Sequence, residues 1–562
     1  MELQLEYLPA DALGLPPLAR IALAQRPRPS ALPGLIIPAR LEEIPECEDR
    51  FDDDERDALS QRLECSLAPL EPHVAVLDSV RKLRSRRSSL VVTAHPPAFL
   101  GGSLLALWKA LHAIRLAQEL EKRWGTPVAP LFWNDVDAED GREAHRIHLL
   151  NPNLDLTRLG LPGMSAGRGP LSKLALTIRE HRLEPIAALS RQILPDTPHR
   201  NRALEDHLPR EGESLARSFT RVLLQLGGPH GLIVLEPDWI RADLSRALAT
   251  VVAPPAPHGR EEDSQTTLRA LMQGTEEVQA ACPGLPLELE REVLVYHQLE
   301  GAARSGLRPG GEGYRYDEEP GSRTPAELAA EIVQSPLEWS AGRLLRPVVQ
   351  DLALPVAAFL GGWDELSDHA ILGPLRRLTG VGGSPFVPRL SCTLVDLECR
   401  QALARLGLEC ADVLRSRGRL ASDRAGKGLA PGPEANVIVR LREIAARAAR
   451  ELAAQRQELA EIDRGLSIQL KRTSGQVSSL VEKLCAKAER VQANREGKER
   501  RHLRRLDNTL FPNESPQEEI LTPLQLTARF GTDWLGELLR AIDPLPIEHL
   551  VVDLVEEGRG LA

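Results

Sequence analysis

Aromatic residues are scarce in this chain, at 3% of 562 positions, and its apolar content rests on Leu, Ala and Val, which suits a helix-rich protein. No apolar stretch approaches the roughly 18 residues of a membrane span. Met1-Glu2-Leu3 opens without the basic and apolar regions of a secretory signal. The expectation is a cytoplasmic protein with no membrane partner. Positive charge is not in excess either: a net charge of -10 and a pI near 5.9 argue against a general nucleic-acid or membrane-surface binder. Seven cysteines (Cys47, Cys65, Cys282, Cys392, Cys399, Cys410 and Cys485) form no Cys-x-x-Cys pair, so they read as reduced thiols rather than a disulfide framework.

What is present concentrates between Leu90 and Ala117. Leu90-Val91-Val92-Thr93 is a β-branched apolar run, and Ala94-His95-Pro96-Pro97 is expected to end it. Gly101-Gly102-Ser103 then opens a helix whose apolar positions recur at helical spacing, stopped at Trp124-Gly125-Thr126. A second buried-type strand, Val128 to Trp133, discharges into the polar cluster Asn134 to Asp140. Strand, glycine loop, helix and strand with acid at its tip is how open α/β sheets build ligand sites.

The length is too great for one ordinary domain. Residues 1–150 read as the first half of a Rossmann-like core, 151–225 as an inserted connecting segment, and 226–430 as the second half with a helical insertion. In that half, Gly231 to Asp238 reads as a strand ending in acid, 308–325 as a long loop, and Val356 to Leu360 as a strand closed by the Gly361-Gly362 turn. Gly418 to Pro433 reads as a flexible linker. Beyond it, 431–506 reads as a coiled-coil hairpin with a break near Gly465 to Gly475 and a seam of Val477, Val481, Leu484, Ala488 and Val491. Residues 507–562 read as a tail packing on the core. The fold class expected is therefore α/β, a Rossmann-like core with helical insertions plus a C-terminal α-helical coiled-coil hairpin, with homodimerisation through the coil. The basic run from Lys483 to Arg505 has no interleaved aromatics for base stacking, so it reads as a solvated or intersubunit face.

Several stretches resemble one family. Val91-Val92-Thr93, Leu100-Gly101-Gly102, Lys109-Ala110, Pro130 to Trp133, Leu344 to Asp351, Ala357 to Gly362, Glu365, Val387-Pro388-Arg389, Ser391, Thr393 and Leu506 to Glu514 follow the order of the bacillithiol-biosynthesis cysteine-adding enzymes. The resemblance implies a cysteine ligase joining cysteine to the amino group of glucosaminyl-malate, or of a related amino sugar. Such a reaction needs an activated carboxyl group, so a nucleotide such as ATP with Mg²⁺ is a candidate cofactor. Alternatives from other classes are a catalytically altered dimeric scaffold of the same fold, and nucleotidyl transfer to another acceptor.

The resemblance also selects site residues. His95 stands where the family has a glutamine, and can donate to an anion, act as acid or base, or be a structural hydrogen-bonding residue. Asp137-Ala138-Glu139-Asp140 stands where the family has Glu-Asp-His-Asp, keeping two acidic positions in kind and losing the second acid and the histidine; Asp137, Glu139 and Asp140 can bind an amine, take its proton or hold Mg²⁺, or simply form a solvated turn. Thr93, Gly101, Gly102, Trp133, Gly361, Gly362 and Glu365 are the binding candidates of the loops. Arg346, Gln350 and Asp351 can contact a substrate carboxylate such as that of malate, or lock the core. Lys109 lies two turns into its helix and reads as too distant for direct contact. His145 and His148 with Asp137 and Glu139 lack a recognised metal spacing, so no metal is assigned. At the ligand loops this chain departs from the family: Gly361-Gly362-Trp363-Asp364-Glu365 replaces Gly-Gly-Pro-Gly-Glu.

Overall fold

The computed structural model describes the chain except residues 1, 30–31, 33, 48–49, 139–143, 162–179, 256–265, 286, 300–303, 312, 318–320, 427–432 and 556–562. Two compact units result, one of residues 1–396 with 516–562 and the other of residues 397–515.

The first unit is built on five parallel strands: β1 (Ser89–His95), β2 (Val128–Asn134), β3 (Ile233–Leu235), β4 (Val356–Gly361) and β5 (Phe386–Pro388). They lie in the order β5-β4-β1-β2-β3. All their residues but His95 are buried. Alternate side chains feed two separate apolar clusters: Leu90, Val92 and Leu131 enter one, Val91, Val128 and Leu360 the other. A parallel sheet covered on both faces needs such continuous apolar runs, which is why the first four of these stretches are readable as strands, while the three-residue β5 is not. The chain order reverses between β1 and β4, and open α/β sheets bind ligands at that switch point, at the carboxyl ends of the strands.

Strand β1 continues beyond Thr93, and His95 pairs with Asn134. The proline at 96 does not stop it sooner, because the residue before a proline favours the extended conformation that a strand requires. The helix Leu104–Trp124 crosses from β1 to β2 and ends at Gly125, whose φ of 69° only glycine adopts cheaply.

Gly101 (φ 86°) and Gly102 (φ 69°) form a tight turn between strand and helix. The turn is packed rather than open. Gly102 N–H donates to the Phe99 carbonyl at 2.9 Å, and Leu104 N–H donates to the Leu521 carbonyl at 2.7 Å. A Cβ on Gly101 would stand 2.7 Å from Val222 Cγ1 on the helix Leu215–Gly227. Gly101→Ala is therefore expected to destabilise the chain by about 1–3 kcal/mol through overpacking and backbone strain. A thermal melt checks this; an unchanged midpoint contradicts it.

Between β3 and β4 the chain forms a five-stranded antiparallel sheet of Val295–His297, Ser305–Gly310, Gly313–Tyr316, Ser322–Arg323 and Trp339–Ala341. This corrects the expectation of a loop over 308–325. Arg308 faces Arg315 and Gly310 faces Gly313 across a tight hairpin. A Cβ on Gly313 would stand 2.3 Å from the Arg323 carbonyl, so the glycines that suggest a loop instead permit close strand approach. Elsewhere Glu2–Leu8 pairs antiparallel with His549–Val555, which pairs parallel with Cys392–Asp396. The basic stretch before β1 is an exposed face with acid partners, including Arg86 with Asp53 at 2.6 Å and Arg87 with Glu46 at 2.8 Å.

The second unit carries the helical hairpin. Pro433–Ala454 and Arg456–Ile462 run against Arg464–Leu510, tied by Arg442 and Glu482 at 2.8 Å. The break falls at Asp463, not in the glycine stretch. Its carboxylate accepts from Gly465 N–H and Leu466 N–H, capping the long helix. Within the expected linker, Leu420–Gly426 is helical, because Asp507 accepts from Leu420 and Ala421 N–H; residues 427–432 lie outside the described residues. The seam is also shifted. Cys485 is buried and Val481 half-buried, while Val477, Leu480 and Leu484 are exposed. Among the described residues no helix is long and apolar enough to cross a membrane.

Candidate active site at the carboxyl edge of the sheet

The carboxyl ends of β1, β2 and β4 are neighbours. Thr93 pairs with Leu360 across β1 and β4, and its hydroxyl donates to the Leu360 carbonyl at 2.9 Å. Asp135 N–H donates to the His95 carbonyl at 3.0 Å, joining the ends of β1 and β2. Gly361 ends β4 opposite Pro388. The mouth therefore opens where the strand order reverses.

A charged network fills it. Lys109 is buried, and its ammonium donates to the Ala94 carbonyl at 2.9 Å and to Glu365 Oε2 at 2.6 Å. Helical side chains lean toward the helix N-terminus, which brings a residue more than one turn inside the helix back to the strand tip. This corrects the reading of Lys109 as remote. Glu365 Oε2 also accepts from Gly362 N–H at 2.9 Å, and its other oxygen lies 3.7 Å from Arg346. Arg346 stands 3.8 Å from Asp135 on its far side.

The two carboxyls are pushed apart in acidity. Burial works against ionisation of Glu365, but Lys109, Arg346 and the Gly362 amide outweigh it, and the group is held below the usual glutamate range. Burial raises Asp135, and Arg346 offsets this only in part while Asp137 adds to it. Environments that separate two carboxyls in this way mark acid–base sites. Half-buried His95 is pushed down to about 4, first by burial and then by Lys109. Its Nδ1 lies 2.7 Å from the Pro96 carbonyl, which only accepts, so Nδ1 carries the proton and Nε2 the lone pair.

The other expected residues divide. Asp137 is clamped: Arg241 binds both its oxygens at 2.7 and 2.8 Å, and Arg304 donates to its backbone carbonyl at 2.5 Å. Glu139 and Asp140 lie outside the described residues. Asp351 is buried in the core, accepting from Arg376 at 3.2 Å and from the Ser384 hydroxyl at 3.1 Å. Trp133 is buried, and its indole nitrogen has no hydrogen-bond partner among the described residues. The same holds for Arg346 Nε and Nη1 and for both amide atoms of Gln350. Orphaned buried groups of this kind cost about 1–3 kcal/mol each, so they call for an explanation. Gly361 packs against Phe386, where a Cβ would stand 2.4 Å from the ring. Among the described residues no group of three or more His, Cys, Asp or Glu is placed to hold a metal.

A cavity of about 590 Å³ lined by Phe51, Arg56, Arg62, Asp243 and Pro355 lies at the other end of the sheet, since Pro355 precedes β4 and Arg56 binds Ser88 ahead of β1. The two carboxyls of opposed acidity, Glu365 and Asp135, lie at the mouth instead.

Comparison with known proteins agrees with this architecture. Residues 39–390 match the bacillithiol biosynthesis BshC N-terminal Rossmann-like domain, and residues 392–554 match the BshC C-terminal coiled-coil domain. The chain belongs to the BshC family. Its relatives include proteins named "Putative cysteine ligase BshC". That of Koribacter versatilis (strain Ellin345) is 26% identical over 498 residues, covering 88% of this chain and 90% of the relative. That of Geobacillus kaustophilus (strain HTA426) is 26% identical over 517 residues, covering 89% and 90%. That of Salinibacter ruber (strain DSM 13855 / M31) is 24% identical over 487 residues, covering 84% of each.

In this BshC chain the residues that sequence reading missed at the mouth are Asp135 and Lys109. A signal existed for Lys109: it is the lone cation in the apolar run Leu104 to Leu111, where an unpaired charge would be costly to bury. Asp135 had no comparable signal, because three further acids follow it within five residues.

Proposed function

We propose that the chain is a carbon–nitrogen bond-forming ligase that joins cysteine to the amino group of glucosaminyl-malate, or to a closely related amino sugar. The observation that carries this reading is the pair of carboxyls of opposed acidity, Glu365 and Asp135, on either side of Arg346 at the switch point. The names of the relatives support it. In the proposed step the free amine nitrogen attacks the activated carboxyl carbon of cysteine, the leaving group departs with its electron pair, and the amine proton passes to Asp135. His95 Nε2 accepts a hydrogen bond from that amine and orients it. Arg346 holds a substrate carboxylate, and Lys109 with Glu365 fixes Arg346 and the Gly362 turn. Asp137 serves as an anchor for the β2 tip.

Activation of the carboxyl group is proposed to come from a nucleotide such as ATP with Mg²⁺. The Gly101-Gly102 turn does not fit the phosphates, because its amide at Gly102 and that of Leu104 are already bonded within the chain. No step is therefore routed through that group. The exposed apolar stripe of Val477, Leu480 and Leu484 supports a second copy of this chain as a partner.

Purified protein incubated with glucosaminyl-malate, L-cysteine and, in separate arms, ATP–Mg²⁺, GTP–Mg²⁺ or no nucleotide is expected to yield the cysteinyl amide by mass spectrometry. No amide in any arm overturns the reading, and pyrophosphate release without amide points to nucleotidyl transfer instead.

A further inference from the structure

Arg304 stands one residue ahead of the strand Ser305–Gly310 of the inserted antiparallel sheet, and its guanidinium is held on three sides. It lies over the Tyr296 ring, 3.5 Å from the centroid. Its Nη2 donates to the Ser340 hydroxyl at 2.7 Å, and its Nη1 donates to the Asp137 carbonyl at 2.5 Å. Tyr296 and Ser340 are directly paired across two strands, so ring and hydroxyl belong to one face of the sheet. A planar guanidinium with a ring on its face and acceptors at its edge keeps little freedom.

What Arg304 reaches is the turn that carries Asp135. Asp135 N–H donates to the His95 carbonyl at 3.0 Å, Val136 N–H to the Asn134 carbonyl at 2.7 Å, and Ala138 N–H to the Asp135 carbonyl at 3.1 Å. Within this turn Arg241, from the helix Arg241–Val252, grips the Asp137 carboxylate, whereas Arg304 grips the Asp137 backbone. The Asp135 carboxyl lies 3.8 Å from Arg346, too far for a hydrogen bond, so its direction follows from the backbone beneath it.

We propose that Arg304 is a positioning residue, through which the inserted sheet holds the Asp135 carboxyl where it takes the amine proton. This deepens the ligase reading and rests on it for the role of Asp135. The same side chain also acts by charge. Burial raises Asp135, Arg346 opposes this most, Asp137 and Glu365 add to it, and Arg304 pulls it down. Around these, Lys109 is paired with Glu365, Arg241 with Asp137, and His95 is neutral. Removing the Arg304 charge therefore lets Asp135 rise further, and a base that must be ionised then loses activity at a higher pH.

The test compares the full wild-type chain with Arg304→Met, Arg304→Lys and Arg323→Met. Arg323 is the control, an arginine of the same sheet that stacks on Tyr316 and pairs with Glu331 at 2.7 Å. Initial rates of amide formation against pH are expected to show kcat at least tenfold lower in Arg304→Met with KM within about twofold. The acid limb of kcat/KM should move up by about half a pH unit or more in that variant. It should stay at the wild-type position in Arg304→Lys, which keeps the charge. Hydrogen exchange at the amides of 135–138 should be at least tenfold faster in Arg304→Met, and Arg323→Met should match wild type in every measurement. Unchanged kcat, a lower kcat with an unmoved acid limb, or unchanged exchange in Arg304→Met would overturn the positioning role. Absence of amide with the wild type overturns the ligase reading, and the exchange rates then decide by themselves whether Arg304 holds the turn.

Discussion

Changing Glu365 to leucine is expected to lower stability by about 3–5 kcal/mol, because it strands the Lys109 ammonium in a buried position with only the Ala94 carbonyl. Lys109→Met is expected to cost a similar amount by stranding the carboxylate. The double variant should recover much of that loss, since two apolar side chains of similar volume replace a buried pair at little net cost. Amide formation should not recover with it. In the double variant nothing fixes the Gly362 amide, which Glu365 holds at 2.9 Å, or orients Arg346, so activity is expected to stay at least a hundredfold below wild type. Urea titrations of the four proteins measure the first effect and initial rates the second. A double variant as unstable as the singles would show that the pair is not an isolated unit. A double variant with wild-type rate would show that the pair only supports the fold.

That network also shows where reading a sequence stops. Four of the five core strands are legible because each is a continuous apolar run that a two-faced parallel sheet demands, whereas Phe386–Pro388 is too short to signal itself, and the glycine stops at 125 and 361 fall where positive φ or close approach requires them. The meeting of the tips near 93, 133 and 361 follows from topology once the strands are known. Which acid matters at the β2 tip does not. Asp137 and Asp135 are two residues apart in the same polar cluster, and only the arrival of Arg241 from 104 residues away takes Asp137 out of the mouth. Lys109 was hidden by the same kind of long-range pairing, to Glu365 at a separation of 256 residues. In the hairpin, Leu484 and Cys485 both suit a heptad position, and a one-residue difference in helix phase decides which faces inward. The antiparallel sheet over 295–341 was obscured by its glycines, whose packing role depends on a neighbouring strand.

Acidification is expected to unfold the first unit well before ordinary carboxylates titrate. Four buried histidines are held neutral in the fold. His112, His207 and His549 are pushed down to about 4, and His369 well below its ordinary value, in every case chiefly by burial. His112 shows how the neutral ring is used: Nε2 donates to the Pro544 carbonyl at 3.0 Å while Nδ1 accepts from Leu390 N–H at 3.1 Å, which a charged ring could not do. Once unfolded, these rings titrate near the ordinary value of about 6.5. The unfolded chain therefore binds more protons between those limits, and stability falls as pH drops from 6.5 toward 4. At pH 5.5 each ring removes about 1.4 kcal/mol. Asp368, raised to about 6 by burial against the pull of Arg343, works in the opposite direction and offsets less than one ring. The four rings and Asp368 together lower stability by up to about 5 kcal/mol, a large share of the whole stability of many domains, and Asp135 and Asp351, also raised by burial, reduce that loss. Denaturant midpoints at pH 7.5 and 5.5 measure it. His207→Leu should reduce the proton uptake on unfolding by close to one, since its Nε2 has no partner to lose among the described residues. A midpoint that stays constant across this range would contradict the neutral rings assigned to His112 and His369.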